Sequence, residues 1–446
     1  AALAGRNRDF GESRRYLSGS VSEPEPPPSH RESPLADGLR FPLRVSMRYV
    51  EGLAELPSTL AYGLRDRMKE GYRRADFRAD LLAGLVVGVV ALPLSMALAI
   101  ASGVAPQYGL YTAIIAGILC ALLGGTRMQV TGPTAAFVVI LLPVVTKYGI
   151  AGLLVAGMMA GVLQILMGMA KLGRLMTFIP HPVTTGFTAG IALVIAVLQV
   201  KDLLGMTLAK RPEGMVDNID QLWQARGTAN GWDLLIAAFT LGLLIYLPRK
   251  IKRVPAPLLA LVAAGLLAAA LDALVGGFDV HTIGSMFSSQ IDGETVHGIP
   301  PLPPMPLLPW NMPGADGGSF PFGYEMLRAL LPSAFAIAIL GAIESLLSAV
   351  VADGMAGTKH DPNCELVSLG IANVVCPFFG GIPATGALAR TATNIRAGAT
   401  SPISAVVHAL FILLCTVALA PLVAYLPMAA MGALLLMVAR NMSEAR

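Results

Sequence analysis

Charged side chains are scarce in this 446-residue sequence: they make up 13% of it, about half of the roughly 25% carried by a soluble domain. A surface so poor in charge excludes an ordinary water-soluble enzyme. Metal-binding and redox residues are also few. The six His and four Cys (Cys120, Cys364, Cys376, Cys415) form no CxxC or HExxH spacing, so neither a metal centre, a disulfide framework nor a cofactor site is expected. The basic start and small-residue cleavage site of a signal peptide are absent. The net charge of +4 is too small to suggest nucleic acid as a partner. No nucleophile, base and orienter can be assembled from the apolar segments, so no enzyme is expected.

What is present is apolar. Hydrophobic residues make up 55% of the chain and the mean hydropathy is +0.66. The 47 Gly and 32 Pro sit inside apolar runs, which transmembrane helices tolerate and soluble helices do not. The chain therefore reads as an all-α, multi-pass membrane protein whose first partner is the lipid bilayer.

Charge placement divides it. Residues 1 to 80 hold 14 Lys/Arg and 12 Asp/Glu; residues 1–48, with the run Glu23 to Ser29, read as a disordered cytosolic arm. Residues 49–78 read as an amphipathic juxtamembrane segment. A transporter domain is expected over 79–439. Against the 17 to 25 residues that cross a bilayer, twelve apolar segments emerge. They are 79 to 101, 109 to 124, 133 to 147, 150 to 170, 182 to 200, 231 to 248, 255 to 275, 327 to 351, 364 to 380, 384 to 398, 402 to 420 and 422 to 439. Basic residues at Arg65 to Arg78, Lys171/Arg174 and Arg249 to Arg253 alternate as a cytosolic N-terminus in the cytoplasmic (inner) membrane requires. The loop with Lys201, Lys210, Arg211 and Arg226 runs against that rule. Residues 276–326 lack Lys and Arg and hold seven Pro between 300 and 313, and are expected to form an external Pro-rich loop.

The third and tenth segments are too short to span. Each follows an apolar span ending in a double glycine, Gly124-Gly125 and Gly380-Gly381, and each opens at a proline, Pro133 and Pro383, 250 positions apart. The same offset lays Leu94-Ser95 on Glu344-Ser345. Interrupted segments at matching places in two halves point to a transporter's binding site, because half-helices starting in mid-membrane aim free N–H groups and positive dipole ends at one spot. The glycine pairs Gly84/Gly88, Gly157/Gly161 and Gly186/Gly190 read as helix-packing positions.

Residues Pro106 to Tyr111, Thr131 to Phe137, Gly341 to Ser345 and Pro377 to Thr385 together resemble the SulP family of anion transporters, and Asp353 to His360 and Asn441 to Ala445 resemble its bacterial four-carbon dicarboxylate carriers. The resemblance implies a seven-plus-seven inverted repeat with two half-helices. It also implies a core (about 79–170 and 327–420) moving against a gate (about 182–275 and 422–439), and a homodimer. It further implies two more spans and a C-terminal cytosolic STAS domain; since the sequence stops at Arg446, about twelve of fourteen segments and no STAS domain are expected here.

Candidate substrate-binding residues are Ser95, Thr134, Ala135, Ala136, Ala384, Thr385, Gly386, Ala387 and Arg390. The small residues after the two prolines let a ligand reach main-chain N–H groups, though helix packing explains them almost as well. Arg390, two turns beyond Pro383, is placed to supply a charged donor fork for a carboxylate or sulfate; a structural pairing with Glu344 or backbone carbonyls is the alternative. Arg396 reads as a snorkelling or capping residue. Glu344 is read as the one carboxylate in the body of a span, and as a proton-coupling residue because a charge there is costly. The function expected is proton-coupled uptake of a small anion, a dicarboxylate first, with sulfate, bicarbonate or chloride as alternatives. A nucleobase transporter of the same fold, a channel and a non-transporting membrane protein are the competing readings.

Overall fold

A computed structural model describes residues 60–443 except 177–180, 210–213, 252–254 and 292–293. The arm over 1–48 and residues 49–59 of the juxtamembrane segment lie outside the described residues. The helices used below are α1 (Tyr62–Lys69), α2 (Arg74–Ala101), α3 (Pro106–Leu123), α4 (Ala135–Met169), α5 (His181–Leu203), α6 (Met215–Gln224), α7 (Gly231–Lys250), α8 (Ala256–Leu274), α9 (Tyr324–Ala356), α10 (Pro362–Val375), α11 (Leu388–Arg396), α12 (Ile403–Ala418) and α13 (Met428–Met442). Strands β1 (Thr131–Gly132) and β4 (Thr385–Gly386) pair with each other, and β2 (Ser288–Ile291) with β3 (Glu294–His297).

Local chemistry sets the helix ends. Pro106 opens α3 at a position whose N–H has no helical acceptor in any case. The Asp361 carboxylate caps α10 by accepting from the N–H groups of Asn363 and Cys364. Gly357, at φ 68°, ends α9 in the left-handed region. The third and fourth expected segments run on as α4, broken at Gly149 (φ 72°), whose missing side chain leaves room for the backbone of Gly314 and Ala315. Two boundaries move. The tenth segment becomes helical only at Leu388, because Thr385–Gly386 is extended and paired; the twelfth begins at Met428, after a short separate turn over Ala420–Val423. The Pro-rich stretch contains the β2–β3 hairpin and is tied down where Leu307 N donates to Phe378 O (2.7 Å).

The helices pack in two groups. In one, α4 lies along α9 and α10, α12 crosses α2 and α3, and α11 is enclosed by α2 and α9, so the two sequence halves interlock. In the other, α13 packs on α5 and α7, and α7 on α8. On α7 and α8, Leu235, Phe239, Val262 and Leu266 are apolar and exposed, as lipid-facing surfaces are. Small residues set the closest crossings. A Cβ on Gly370 would stand 2.6 Å from the carbonyl oxygen of Gly161, and one on Gly161 2.6 Å from that of Gly370. Gly84 and Gly88 face α12 and Gly157 faces Pro383, whereas nothing lies within 4 Å of the Cβ positions of Gly186 and Gly190. That last pair is not a packing site among the described residues.

Outside the spans, α1 is clamped to the turn after α3. Arg127 bridges Asp66 and Glu70, with Nη2 2.5 Å from an oxygen of each. Its donation holds the Glu70 carboxyl below the usual carboxylate range.

Two outcomes follow from this packing. Gly370→Val costs about 1–3 kcal/mol by overpacking the crossing, seen as a lower thermal midpoint of the detergent-solubilised protein, while Gly186→Val stays within about 0.5 kcal/mol. For α1, the folded value of Glu70 lies below its free value of 4.5, so the clamp is complete above that pH and weakens as pH falls through the folded value. Amide exchange in α1, corrected for its intrinsic rate, rises in the parent only as the pH is lowered beneath 4.5, and is already fast at pH 6 in Arg127→Ala.

Candidate functional site

The residue before a proline is pushed out of helical conformation, and both interrupted segments use this. Gly132 precedes Pro133, Ile382 precedes Pro383, and the chain stays extended around each. The two extended pieces cross antiparallel, with Thr131 opposite Gly386 and Gly132 opposite Thr385. Directly paired strand residues have Cα atoms about 5 Å apart, so the two interruptions meet inside the protein.

A half-helix leaves from each. α4 starts after Thr134 and α11 after Ala387, and neither of these residues caps its helix with a side chain. The first N–H groups of both helices therefore have no intrahelical acceptor, and two positive dipole ends come together.

Arg390 is the third residue of α11 and is 2% exposed. Its Nη2 donates to Ser95 Oγ (3.2 Å) and to the carbonyl oxygen of Pro133 (3.3 Å). Nε and Nη1 have no hydrogen-bond partner among the described residues, and Nη1 lies where a side chain on Gly132 would be. Ser95 is fully buried and donates to Ala91 O (2.7 Å), which leaves its oxygen to receive the arginine. Thr134 Oγ1 donates to Glu344 Oε2 (2.7 Å), so the acid of α9 stands at the start of α4. Glu344 keeps intermediate exposure. No ion pair between Glu344 and Arg390 forms among the described residues; the arginine's structural partners are a hydroxyl and a carbonyl.

The other expected positions divide by what their polar groups do. Ala135 and Ala136 occupy the first turn of α4. Ala384 N donates to Asn373 Oδ1 (2.7 Å), Thr385 Oγ1 to Gly341 O (2.8 Å) and Ala387 N to Val130 O (2.9 Å). Gly386 admits Gln129 against the backbone. In the second half, the main-chain N–H groups at the helix start are those of Leu388, Ala389 and Arg390, later than the expected Ala384.

The sequence reading missed a buried carboxylate beside the crossing. Glu365, 2% exposed, lies in the first turn of α10, where an acid reads as a capping residue. Instead it accepts from Gly125 N (3.0 Å), Thr126 Oγ1 (3.0 Å), Gln129 Nε2 (2.7 Å) and Ser345 Oγ (3.1 Å). Four donors compensate its charge and brace the turn that leads into β1. The Gly124-Gly125 pair in front of Pro133 was the only signal of that turn.

With this geometry in view, the comparisons are informative. The profile of the Sulfate permease family matches residues 77–446. The chain belongs to that family. It is 45% identical over 343 residues to YvdB of Bacillus subtilis (strain 168), named as a candidate sulfate transporter, covering 77% of this chain and 60% of the relative. It is 30% identical to the bicarbonate transporter BicA of Synechocystis, over 73% of this chain and 54% of that one. The solved transmembrane domain of a cyanobacterial BicA superposes with a TM-score of 0.71 at 29% identity, over 84% of this chain and 90% of that one. SLC26A9, at 18% identity and a TM-score of 0.71, shares the fold. The chain thus has the inverted-repeat fold of anion transporters and stands with transporters, not enzymes; it spans about 60% and 54% of the two relatives' own lengths.

Removing the Glu365 acceptor tests the bracing of the site. Glu365→Ala strands four buried donors and lowers stability by about 3–5 kcal/mol, read as a lost or much reduced thermal midpoint, and Glu365→Gln loses clearly less.

Proposed function

We propose that this chain forms the membrane part of a secondary active transporter that moves a small anion across the cytoplasmic (inner) membrane together with protons. The observation that carries this reading is Arg390. A buried guanidinium without a carboxylate costs several kcal/mol, and its two unpartnered nitrogens lie at the crossing of two uncapped helix starts. An anion docked there offsets that cost, receives the charged fork, and meets the N–H groups of α4 and α11. Ser95 holds the arginine, while Ala135 and Ala136 leave the main chain approachable.

The cargo we propose is a four-carbon dicarboxylate, on the resemblance of Asp353 to His360 and of Asn441 to Ala445. Sulfate and bicarbonate, named for the relatives, are the competing cargos. Glu344, partly exposed and hydrogen-bonded to the Thr134 hydroxyl at the start of α4, carries a coupled proton. The group of α2–α4 and α9–α12 is the core that carries the site, and α5, α7, α8 and α13 are the gate against which it moves. The N-terminus is cytosolic, by the basic residues Arg65 to Arg78 and Arg249 to Arg253, and the transporter works as a homodimer.

Binding to the purified chain in lipid nanodiscs tests the site. Fumarate and sulfate bind the parent, and Arg390→Ala weakens the preferred anion about ten- to a hundredfold; Arg390→Lys restores part of this, since one ammonium does not reproduce the fork. Glu344→Gln inserts normally and loses most of the acid stimulation of the maximal uptake rate, read at saturating anion. Full anion affinity in Arg390→Ala removes the site. Tighter sulfate than fumarate moves the cargo to sulfate, and tight uracil binding moves the chain to the nucleobase class, against which the two arginines and absent carboxylate of α11 speak.

A further inference from the structure

Among the described residues two basic residues are buried as a whole, Arg390 and His408, while the His360 ring, 8% exposed, is bonded to Asp353. His408 lies on α12, is 0% exposed, and neither ring nitrogen has a hydrogen-bond partner there. The two residues belong to the consecutive helices α11 and α12.

The register of α11 and α12 explains the meeting. Asn394 Nδ2 donates to Ser404 Oγ (2.8 Å). Stepping one turn back along α11 from Asn394 reaches Arg390, and one turn forward along α12 from Ser404 reaches His408. The backbone of buried Thr131, in β1, comes to the same place. A Cβ on Gly117 of α3 would lie 3.6 Å from Thr131 O and 4.0 Å from His408 Nδ1, so both line one spot.

The surroundings of His408 hold little else that titrates. α12 packs on α2 and α3. On α11 the charge next to it in register is Arg390; α3 carries Tyr108, Tyr111 and the Cys120 thiol. From α2 the nearest acid is Asp80, which accepts from Ser401 and Thr400, about 10 Å back along α12 from His408 at 1.5 Å per residue. Among the described residues no carboxylate pairs with the imidazole.

Charge balance then has a consequence. The guanidinium and the partial positive charges of the two helix starts meet a docked dianion, and a proton added to a neutral base beside the guanidinium strengthens that attraction. The described residues offer one more buried base in reach. We propose, resting on the anion reading of Arg390, that His408 is a second proton site of the transporter, which takes up a proton as a dianion docks and so makes binding tighter at acid pH. By linkage, if the anion favours the proton, the proton favours the anion by the same factor.

The test is equilibrium binding of fumarate and of sulfate, both fully ionised near neutral pH, to the chain in nanodiscs at pH 6 and pH 8. Glu344→Gln is the background, so that His408 is read without Glu344. There the preferred anion binds about tenfold tighter at pH 6 than at pH 8, and adding either His408→Gln or His408→Asn brings that ratio to within about twofold of one. Nitrogen-15 spectra of histidine-labelled Glu344→Gln protein at pH 7 give a reading that needs no His408 variant: the signal of a solvent-protected imidazole moves from neutral to protonated on adding the anion. A ratio near one in Glu344→Gln, a double variant that keeps the tenfold ratio, or no protected imidazole responding overturns the role of His408. Loss of binding in Arg390→Ala alongside any of these leaves the anion site standing, whereas binding undiminished in Arg390→Ala, or no anion binding by the parent, overturns the site and the His408 proposal with it.

Discussion

Backbone groups that leave a helix inside the hydrocarbon layer have no water to bond to, so they must find partners within the protein. The pairing of Thr131–Gly132 with Thr385–Gly386 meets that demand for two interruptions at once, and the rest of the molecule is arranged around it. The prolines keep the chain extended, the extended pieces need each other, and each can then release a helix from inside the protein. Asn373 secures one side through Ala384, and Glu365 with Gln129 secures the other. The polar residues here brace a crossing whose failure would strand main-chain amides in an apolar medium.

The backbone repeats, but the charges do not. Ser95 and Ser345 occupy equivalent places in the two halves. One receives the Arg390 guanidinium (3.2 Å) and the other donates to the Glu365 carboxylate (3.1 Å). A symmetric crossing thus gains a cationic side and an anionic side. The anionic side is saturated by four donors, while the cationic side keeps two unpartnered nitrogens. A saturated charge is structural; an unsaturated buried one is a binding group waiting for its counter-charge. On this difference, more than on the dipole ends that both half-helices share, the proposed anion site rests.

Much of this was legible in the linear sequence. Segment length and hydropathy are local properties, and the bilayer converts them directly into spans, so most of the expected segments lie on helices, although the third and fourth run together and the tenth and twelfth start late. The 250-residue offset between Pro133 and Pro383 likewise revealed the interruptions, because a proline's effect on the preceding residue is local. Arg390 was conspicuous as a cation in an apolar chain, and Ser95 followed from the offset.

Burial and partnership were decided by the tertiary structure. Glu365 in a helix's first turn looks like any capping acid until the 124–129 segment folds over it, and His408 looks like a core histidine until α12 is set in register with α11 through Asn394 and Ser404. Ala384 looked like an open helix start, yet the extended pairing of Thr385–Gly386 moved that start to Leu388. In each case the deciding partner lies far away in sequence: 236 residues separate Gln129 from Glu365 and 257 separate Pro133 from Arg390. The sequence by itself determined that the chain is a many-helix membrane protein and where it breaks, because hydrophobic length and proline sterics act within a few residues. Only the packed structure decided which polar groups are satisfied and which are left open, because a hydrogen bond depends on distances that no local pattern encodes.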